Sequence, residues 1–470
     1  MDEELGYLSA TDMVARYRAR ELSPVEVTDA VLARIARLNP AINAFCIVDA
    51  EDALAAARES ERRWGQGQPL GPLDGVPVSV KDLLLTRGWP TLRGSRTIDP
   101  AGPWTDDAPA VARLRESGAV ILGKTTTPEY GWKGVTDSPL TGYTRNPWNL
   151  ARTPGGSSGG AAAQLAAGLG PLAIGTDGGG SIRIPSAFTG ITGIKPSFGR
   201  VPAWPLSPFG TVAHVGPMAR TTADCALLLN VLARPDARDW HALPEADMDW
   251  TAGLASGVRG MRVAYSPRLG YVRQVDADVE ARVAEAVRTF EALGAQVEQV
   301  DPGFADCGEL FWRHWTIGAY NGLRHLPPAK LAMLEPALQE TYRTGERELL
   351  TRYLDAIAAR AALGIQMRLF HERFDLLLTP ALAVPAFEVG RLAPAQPGSV
   401  ARWTDWTPFS FPFNLTQQPA MSVPCGFTRE GLPVGLQIVG PMHREDLVLR
   451  AGNAFELATD FARQRPTLAK

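Results

Sequence analysis

The sequence predicts an α/β protein: a large, mixed, mostly parallel twisted sheet sandwiched by helices. Three observations carry that expectation. The chain has 470 residues, long enough to bury a sizeable core. Short β-branched runs bounded by glycine alternate with helix-period segments at 75–125 and again at 261–301, and strand–helix–strand order implies parallel pairing. Hydrophobic residues make up 45% and charged residues 21%, an ordinary globular composition that speaks against disorder or a fibrous repeat.

From Ser9 to about Trp64, apolar residues recur at helical spacing, and Ser23-Pro24-x-Glu26 marks a helix start, so the chain opens with two or three helices. GVPVSVKDLLL (75–85) and GAVILGKT (118–125) read as strands joined through a helix around Ala108 to Glu116. A helix follows in AAAQLAAGLG. GITGIKPSFGR and VPAWPLSPFG then read as long ordered loops on a rigid sheet, where binding surfaces usually lie. MRVAYS, a helix over about 278–293 and AQVEQVD repeat the β–α–β unit. A charged helical region from about Gly303 to Arg373 precedes FDLLLTPA as a buried strand, an AMSVPCGF…LPVGLQIVG hairpin, and a closing helix near Asp446 to Ala458.

No repeat is visible, and only ALPEADMDWTAGLASG resembles a linker. The length prior is roughly three domains, but large α/β enzymes commonly exceed it as one unit. The expected organisation is therefore a single domain over 1–470. It divides into a helical layer over 1–66, a motif-bearing core over 67–235, and a helical subregion over about 303–373 that contributes to a pocket.

The net charge of −3 gives no electrostatic reason to expect nucleic acid. Cys46, Cys225, Cys307 and Cys425 lie far apart without a CxxC pair, so they read as reduced thiols and not as a zinc or disulfide framework. The acidic, amphipathic MDEELGYLSATDMVARYRARELS is no signal peptide, and apolar runs stop well short of a membrane span. A cytoplasmic location without metal or cofactor is expected.

Two motif matches fail on context. GAVILGKT satisfies the Walker A pattern, but its middle residues are the strand itself, whereas a phosphate cradle is a loop after a strand. GGSSG (155–159) satisfies the nucleophile-elbow pattern around Ser157, yet RNPWNLARTP leads into it, and two prolines do not make a central strand. AIGTDGGGSIRIPS (173–186) is more informative. Three glycines in a row are entropically expensive and suggest amides kept open for an oxyanion beside Ser181. Lys81 ends VPVSVKD on one face with Ser79 and Leu83; alone it would be an ordinary snorkelling lysine.

Together DGVPVSVKD, TPGGSSGGAAA and GTDGGGSIRIPSAFTGITGIKPSFGRV resemble the amidase signature family, whose hydrolases use two serines and a lysine. NLTQQPAMSVPCGF and GLPVGLQIVG extend the resemblance nearly to the C-terminus. It implies that Ser181 is the nucleophile, Ser157 a bridging serine in a cis peptide with Gly156, and Lys81 the base. It also implies that the amides of Gly178, Gly179, Gly180 and Ser181 form the oxyanion hole. Asp177 and Ser158 would orient the loop, and Arg183 would pair with an acid. Gly178 stands where many relatives carry threonine or a larger residue. Chemistry agrees with the lysine role only if burial lowers its pKa by several units from about 10.4.

The family contains general amidases, fatty amide hydrolases and the glutaminyl subunit of tRNA-dependent amidotransferases. That subunit carries SSLDQIGP where this chain has GTVAHVGP (210–217), which argues against a glutamine site. Tyr130, Trp132, Trp204, Phe209, Trp403 and Trp406 suggest a pocket for an apolar or aromatic group. The expected activity is hydrolysis of a carboxamide, anilide or carbamate (urethanase) C–N bond through an acyl-serine, with side esterase activity. The expected partners are such a small molecule and a second copy of the chain, with no nucleic acid and no membrane. Three rivals remain: the glutaminyl amidotransferase subunit, an α/β-hydrolase built on Ser157 with a downstream acid and one of His214, His241, His314, His325, His371 or His443, and a non-catalytic partner subunit that keeps the fold without turnover.

Overall fold

The computed structural model describes residues 2–395 and 402–468. Its N-terminal layer contains helices Ala10–Ala19, Pro24–Ile42 and Ala50–Gln66. Ser23 starts the second of these as expected: its side chain accepts from Val25 N, and its own N–H donates to the Glu26 carboxylate at 2.9 Å. This reciprocal cap satisfies donors that the first helical turn leaves open.

The strands are β1 (Phe45–Val48), β2 (Pro77–Lys81), β3 (Val120–Thr125), β4 (Asp137–Ser138), β5 (Gly142–Tyr143), β6 (Leu172–Asp177) and β7 (Thr192–Lys195), followed by β8 (His214–Ala219), β9 (Arg262–Tyr265), β10 (Gln296–Gln299), β11 (Leu376–Pro380), β12 (Ala420–Phe427) and β13 (Pro433–Val439). Eleven of them form one sheet in the order β1-β3-β2-β6-β8-β7-β12-β13-β11-β9-β10, and β4 and β5 form a small separate ribbon. Parallel pairing occurs in two blocks, β3-β2-β6 and β11-β9-β10. The strands between them, and the edge strand β1, pair antiparallel. The large mixed sheet flanked by helices is thus the predicted architecture. One loop expectation fails: within GITGIKPSFGR, Thr192–Lys195 is strand β7, fully buried between β8 and β12.

Alternation along the strands divides the core into two faces. Leu376, Leu378, Met421, Leu436 and Ile438 join the larger cluster, with the N-terminal helices and with helices Thr222–Leu232, Ala277–Ala292 and Glu445–Leu457. Leu377, Ala264, Ala420 and Val439 point the other way, into an aromatic cluster with Phe311, Trp315, Trp403, Phe409 and Phe411. Helices Gly308–Leu323, Pro336–Glu346 and Leu350–Arg373 cover that second face. The linker-like stretch is tied down by Trp250, which is buried under the Arg200 guanidinium. Among the described residues no helix is long and apolar enough to cross a membrane.

Candidate active site

Lys81 is the last residue of β2 and is fully buried. Because β2 and β6 pair in parallel, with Val80 opposite Ile174, its side chain comes beside Thr176 near the end of β6. Lys81 Nζ lies 2.8 Å from Ser157 Oγ, 2.9 Å from Ser158 Oγ and 2.9 Å from Thr176 Oγ1. Among the described residues no carboxylate forms an ion pair with it. Burial pushes its pKa well below the ordinary lysine value, and the more distant Asp177 charge only partly opposes this. The site therefore favours a neutral amine in contact with a hydroxyl, the arrangement a base requires.

The peptide between Gly156 and Ser157 is cis. No strand leads into Ser157; the preceding chain is turn and coil, and helix Gly159–Ala166 follows. Ser158 links the parts: its hydroxyl donates to Thr176 O at 3.1 Å, and its amide donates to Ser181 O at 3.1 Å. The Walker-like lysine, Lys124, lies inside β3, paired with Asp82 at 2.9 Å and donating to Thr91 Oγ1. Its ammonium is committed to Asp82, Thr91 and the Pro90 carbonyl, and so ties strand β3 to the chain that follows β2.

Asp177 ends β6 and organises the glycine turn. Its carboxylate receives Arg183 through two bonds of 3.0 Å, Asn414 Nδ2 at 2.8 Å, and the amides of Gly180 and Ile182 at 2.7 and 3.1 Å. Burial alone would raise its pKa, but Arg183, Asn414 and the more distant Lys195 hold it well below the usual carboxylate range. Arg183 also donates to Ser410 O and to Gln437 Oε1, each at 2.8 Å, so it is spent on structure.

The turn corrects one expectation. Gly180 does not join Gly178 and Gly179 as an amide open to the reacting oxygen, because its N–H is committed to Asp177. The amides of Gly178, Gly179 and Ser181 have no acceptor among the described residues. The glycines are also required by what stands behind the turn. A Cβ on Gly178 would meet Trp315 at 2.9 Å, and one on Gly179 would meet Phe311 at 2.6 Å and Trp403 at 2.7 Å. Gly180 adds a left-handed φ of 125°.

Ser181 and Ser157 line one cavity of about 270 Å³. Ser181 Oγ has no hydrogen-bond partner among the described residues, and no bond joins it to Ser157 Oγ. Tyr130, Trp132, Trp204 and Phe209 line this cavity, and Trp315, stacked on Phe209 with ring centroids 4.0 Å apart, joins them. Trp403 and Trp406 do not. Trp403 is buried behind Gly179, and Trp406 packs on Phe188 and Phe387, because the aromatic cluster under the second sheet face absorbs both. A wider cleft of about 860 Å³, lined by Tyr271, Asp306 and Arg402 among others, contains none of the three reactive side chains.

Sequence reasoning missed several residues. Thr176 and Asn414 are ordinary polar residues until the fold brings them to Lys81 and Asp177. Trp315 lies in a helix remote in sequence, and Arg93 carried no motif at all. His214 and His241 line the cavity, but neither touches a serine. His214 Nδ1 lies 2.9 Å from Val212 O and Nε2 3.4 Å from Lys195 Nζ. Among the described residues no histidine hydrogen-bonds Ser157 or Ser181, which removes the pairing an α/β-hydrolase needs.

The Amidase family profile matches residues 26–449. The chain is 39% identical over 471 residues to an acylamidase of Rhodococcus erythropolis, covering 99% of this chain and 98% of that one. It is 36% identical over 492 residues to a glutamyl-tRNA(Gln) amidotransferase subunit of Chloroflexus aggregans, covering 99% of both. The crystal structure of a bacterial aryl acylamidase superposes with a TM-score of 0.90 at 33% identity, over 98% of this chain and 99% of that one. The chain belongs to the amidase signature family of serine-dependent, amide-hydrolysing enzymes.

Proposed function

We propose that this enzyme hydrolyses the C–N bond of a carboxamide, anilide or carbamate bearing an apolar or aromatic group, through an acyl-Ser181 intermediate. The observation that carries the reading is Lys81 Nζ, buried and 2.8 Å from Ser157 Oγ, beside an aromatic cavity that Ser181 also lines. In the proposed cycle neutral Lys81 takes the Ser157 proton while Ser157 Oγ takes that of Ser181. Ser181 Oγ attacks the carbonyl carbon, and the amides of Gly178, Gly179 and Ser181 receive the negative oxygen. The proton then returns through Ser157 to the departing nitrogen as the C–N bond breaks. Water, deprotonated along the same route, cleaves the acyl-serine. The relay requires the two serine hydroxyls to close to hydrogen-bond distance when substrate binds, a tightening common between free and substrate-bound enzymes.

Names borne by relatives support an acyl amide substrate: an acylamidase and an aryl acylamidase are among them. The 36% identity to an amidotransferase component favours glutamine as a second reading. Against it, Ala213 lines the cavity where SSLDQIGP places an acid for the glutamine amine. The test is a panel of aryl amides, aliphatic amides, carbamates, esters and glutamine compared by kcat/KM. Aryl amides or carbamates should lead and an ester should be accepted. Glutamine as the preferred substrate would reverse the assignment.

The pH dependence follows from the base. Only neutral Lys81 accepts a proton, so kcat/KM should rise with pH as its ammonium dissociates and then level off. Burial lowers its pKa, so the midpoint should fall well below that of a free lysine. The limb should be absent from Lys81→Ala. An identical limb in that variant would assign it to another group.

A further inference from the structure

Arg93 adopts a left-handed backbone, with φ 54°, a conformation uncommon for a residue with a side chain. Its carbonyl accepts from Tyr130 N at 2.7 Å, which fastens it to the cavity wall, and it lines the cavity beside Leu83, Leu84 and Tyr130. Lys81 and Lys195, buried without a carboxylate among the described residues, are driven toward the neutral amine by burial, whereas Lys124 has Asp82 at 2.9 Å, Lys133 has Asp137 and Glu335 at 2.7 Å, and Arg183 has Asp177 at 3.0 Å. Arg93 has none. Among the described residues no side chain or carbonyl accepts from its guanidinium, and no carboxylate comes within ion-pair distance. Asp239 also lines the cavity, but its carboxylate is taken up by the amides of Ala203 and His241 at 2.8 and 2.9 Å.

Arg93 is half-buried; its guanidinium stays charged at neutral pH, and desolvating it further without an anion is unfavourable. Burial does lower its pKa, with Tyr130 and Asp82 opposing at longer range. The planar fork matches a carboxylate through two parallel bonds. A single cation balances one negative charge, and the cavity is otherwise mainly apolar and aromatic. We infer that the substrate supplies the missing anion: Arg93 is a specificity residue for a carboxylate carried on one limb of the amide, while the aromatic side chains take the other limb. This rests on the amide-hydrolase reading above. The carboxylate could sit on the acyl limb, as in the half-amide of a dicarboxylic acid, or on the amine limb, as in an N-acyl amino acid.

Two substrate pairs separate these sources: glutaryl against pentanoyl 4-nitroanilide, and N-butyryl-4-aminobenzoate against N-butyryl-4-toluidine. In one pair the wild-type preference for the carboxylate member, as a ratio of kcat/KM, should fall about tenfold or more in Arg93→Gln. The fall should come through KM, and Arg93→Lys should restore part of it. The responding pair identifies the limb. Ratios within about twofold of wild type in both pairs would overturn the inference, as would equal losses on charged and neutral members. A separate readout needs no turnover: binding of N-butyryl-4-aminobenzoate and glutaryl 4-nitroanilide to Ser181→Ala protein by calorimetry. Adding Arg93→Gln should weaken one of them about tenfold. If no amide is turned over but this weakening appears, the hydrolase reading fails and Arg93 stands. If turnover is normal and binding is unmoved, Arg93 fails alone. Should Arg93→Gln not fold, Arg93→Lys, which keeps the charge and loses the fork, should still lower the preference several-fold, and an unchanged ratio there would count against it.

Discussion

Ser181→Ala is expected to remove turnover of amides and esters alike, by on the order of 10⁵-fold or more, the scale on which enzymes lose an attacking hydroxyl. The same change should leave stability almost untouched. Among the described residues Ser181 Oγ has no hydrogen-bond partner, so its loss strands no buried donor or acceptor there. Measured kcat/KM on an anilide and an aryl ester, with thermal unfolding of both proteins, checks the two halves together. Labelling with a fluorophosphonate adds the assignment: the modified peptide of wild type should contain Ser181, and Ser181→Ala should not label. A label on Ser157 would return the chemistry to the elbow-like serine and displace Ser181 as nucleophile.

Lys81→Ala should lower anilide hydrolysis by about 10³-fold, within the 10² to 10⁴ range of positioned proton transfer, and ester hydrolysis by roughly tenfold less. The difference follows from the leaving group. An amine anion is too basic to depart unprotonated, so an amide needs the relay in both directions. A phenoxide leaves unaided, so an aryl ester needs it only for attack. The comparison requires acylation to limit both reactions, shown by single-turnover kinetics. Lys81 is fully buried among three hydroxyls, so truncation also leaves a cavity beside Ser157 and Thr176. Lys81→Met, which fills the space without a base, is the control, and it should show the same discrimination between substrates. Equal losses on both substrates in both variants would mean that the lysine acts in attack alone or merely holds the site, and the two-way relay would have to be abandoned.

The strands and helices with a clean period are legible in the sequence, among them β2, β3, β9, β10, β11 and the β12–β13 hairpin. Strand β7 is hidden there because GITGIKPSFGR mixes glycine and proline with few apolar residues. It gains its stability from lying between β8 and β12, which local propensity does not report. Strand β1 is hidden as four residues between two long helices. At the site, Lys81, Ser157, Asp177 and Ser181 stand out because unusual residue types sit in unusual runs. Thr176, Asn414 and Trp315 do not, since each is ordinary in its own segment and acquires a role only through long-range pairing. The pocket tryptophans divide for the same reason. Composition tells that a chain is rich in aromatics, but only packing decides that Trp204 faces the cavity and Trp403 stands behind the turn.

The cavity wall has one further property. Residues 203–210 line it as one continuous stretch, Ala203 through Gly210, while Lys81 and Asp177 end buried strands and Ser181 is pinned by Ser158 and by the Asp177 network. This part of the recognition wall and the reacting groups are thus carried by separate pieces of chain, linked through Trp315, which stacks on Phe209 and packs behind Gly178. A lineage could exchange the 203–210 stretch wholesale, through insertion, deletion or recombination, and redirect the enzyme to a new molecule while the reacting groups stayed in register. The same modularity offers a protein engineer a graft point, because chimeras made at this loop change what enters the cavity before they disturb what happens inside it.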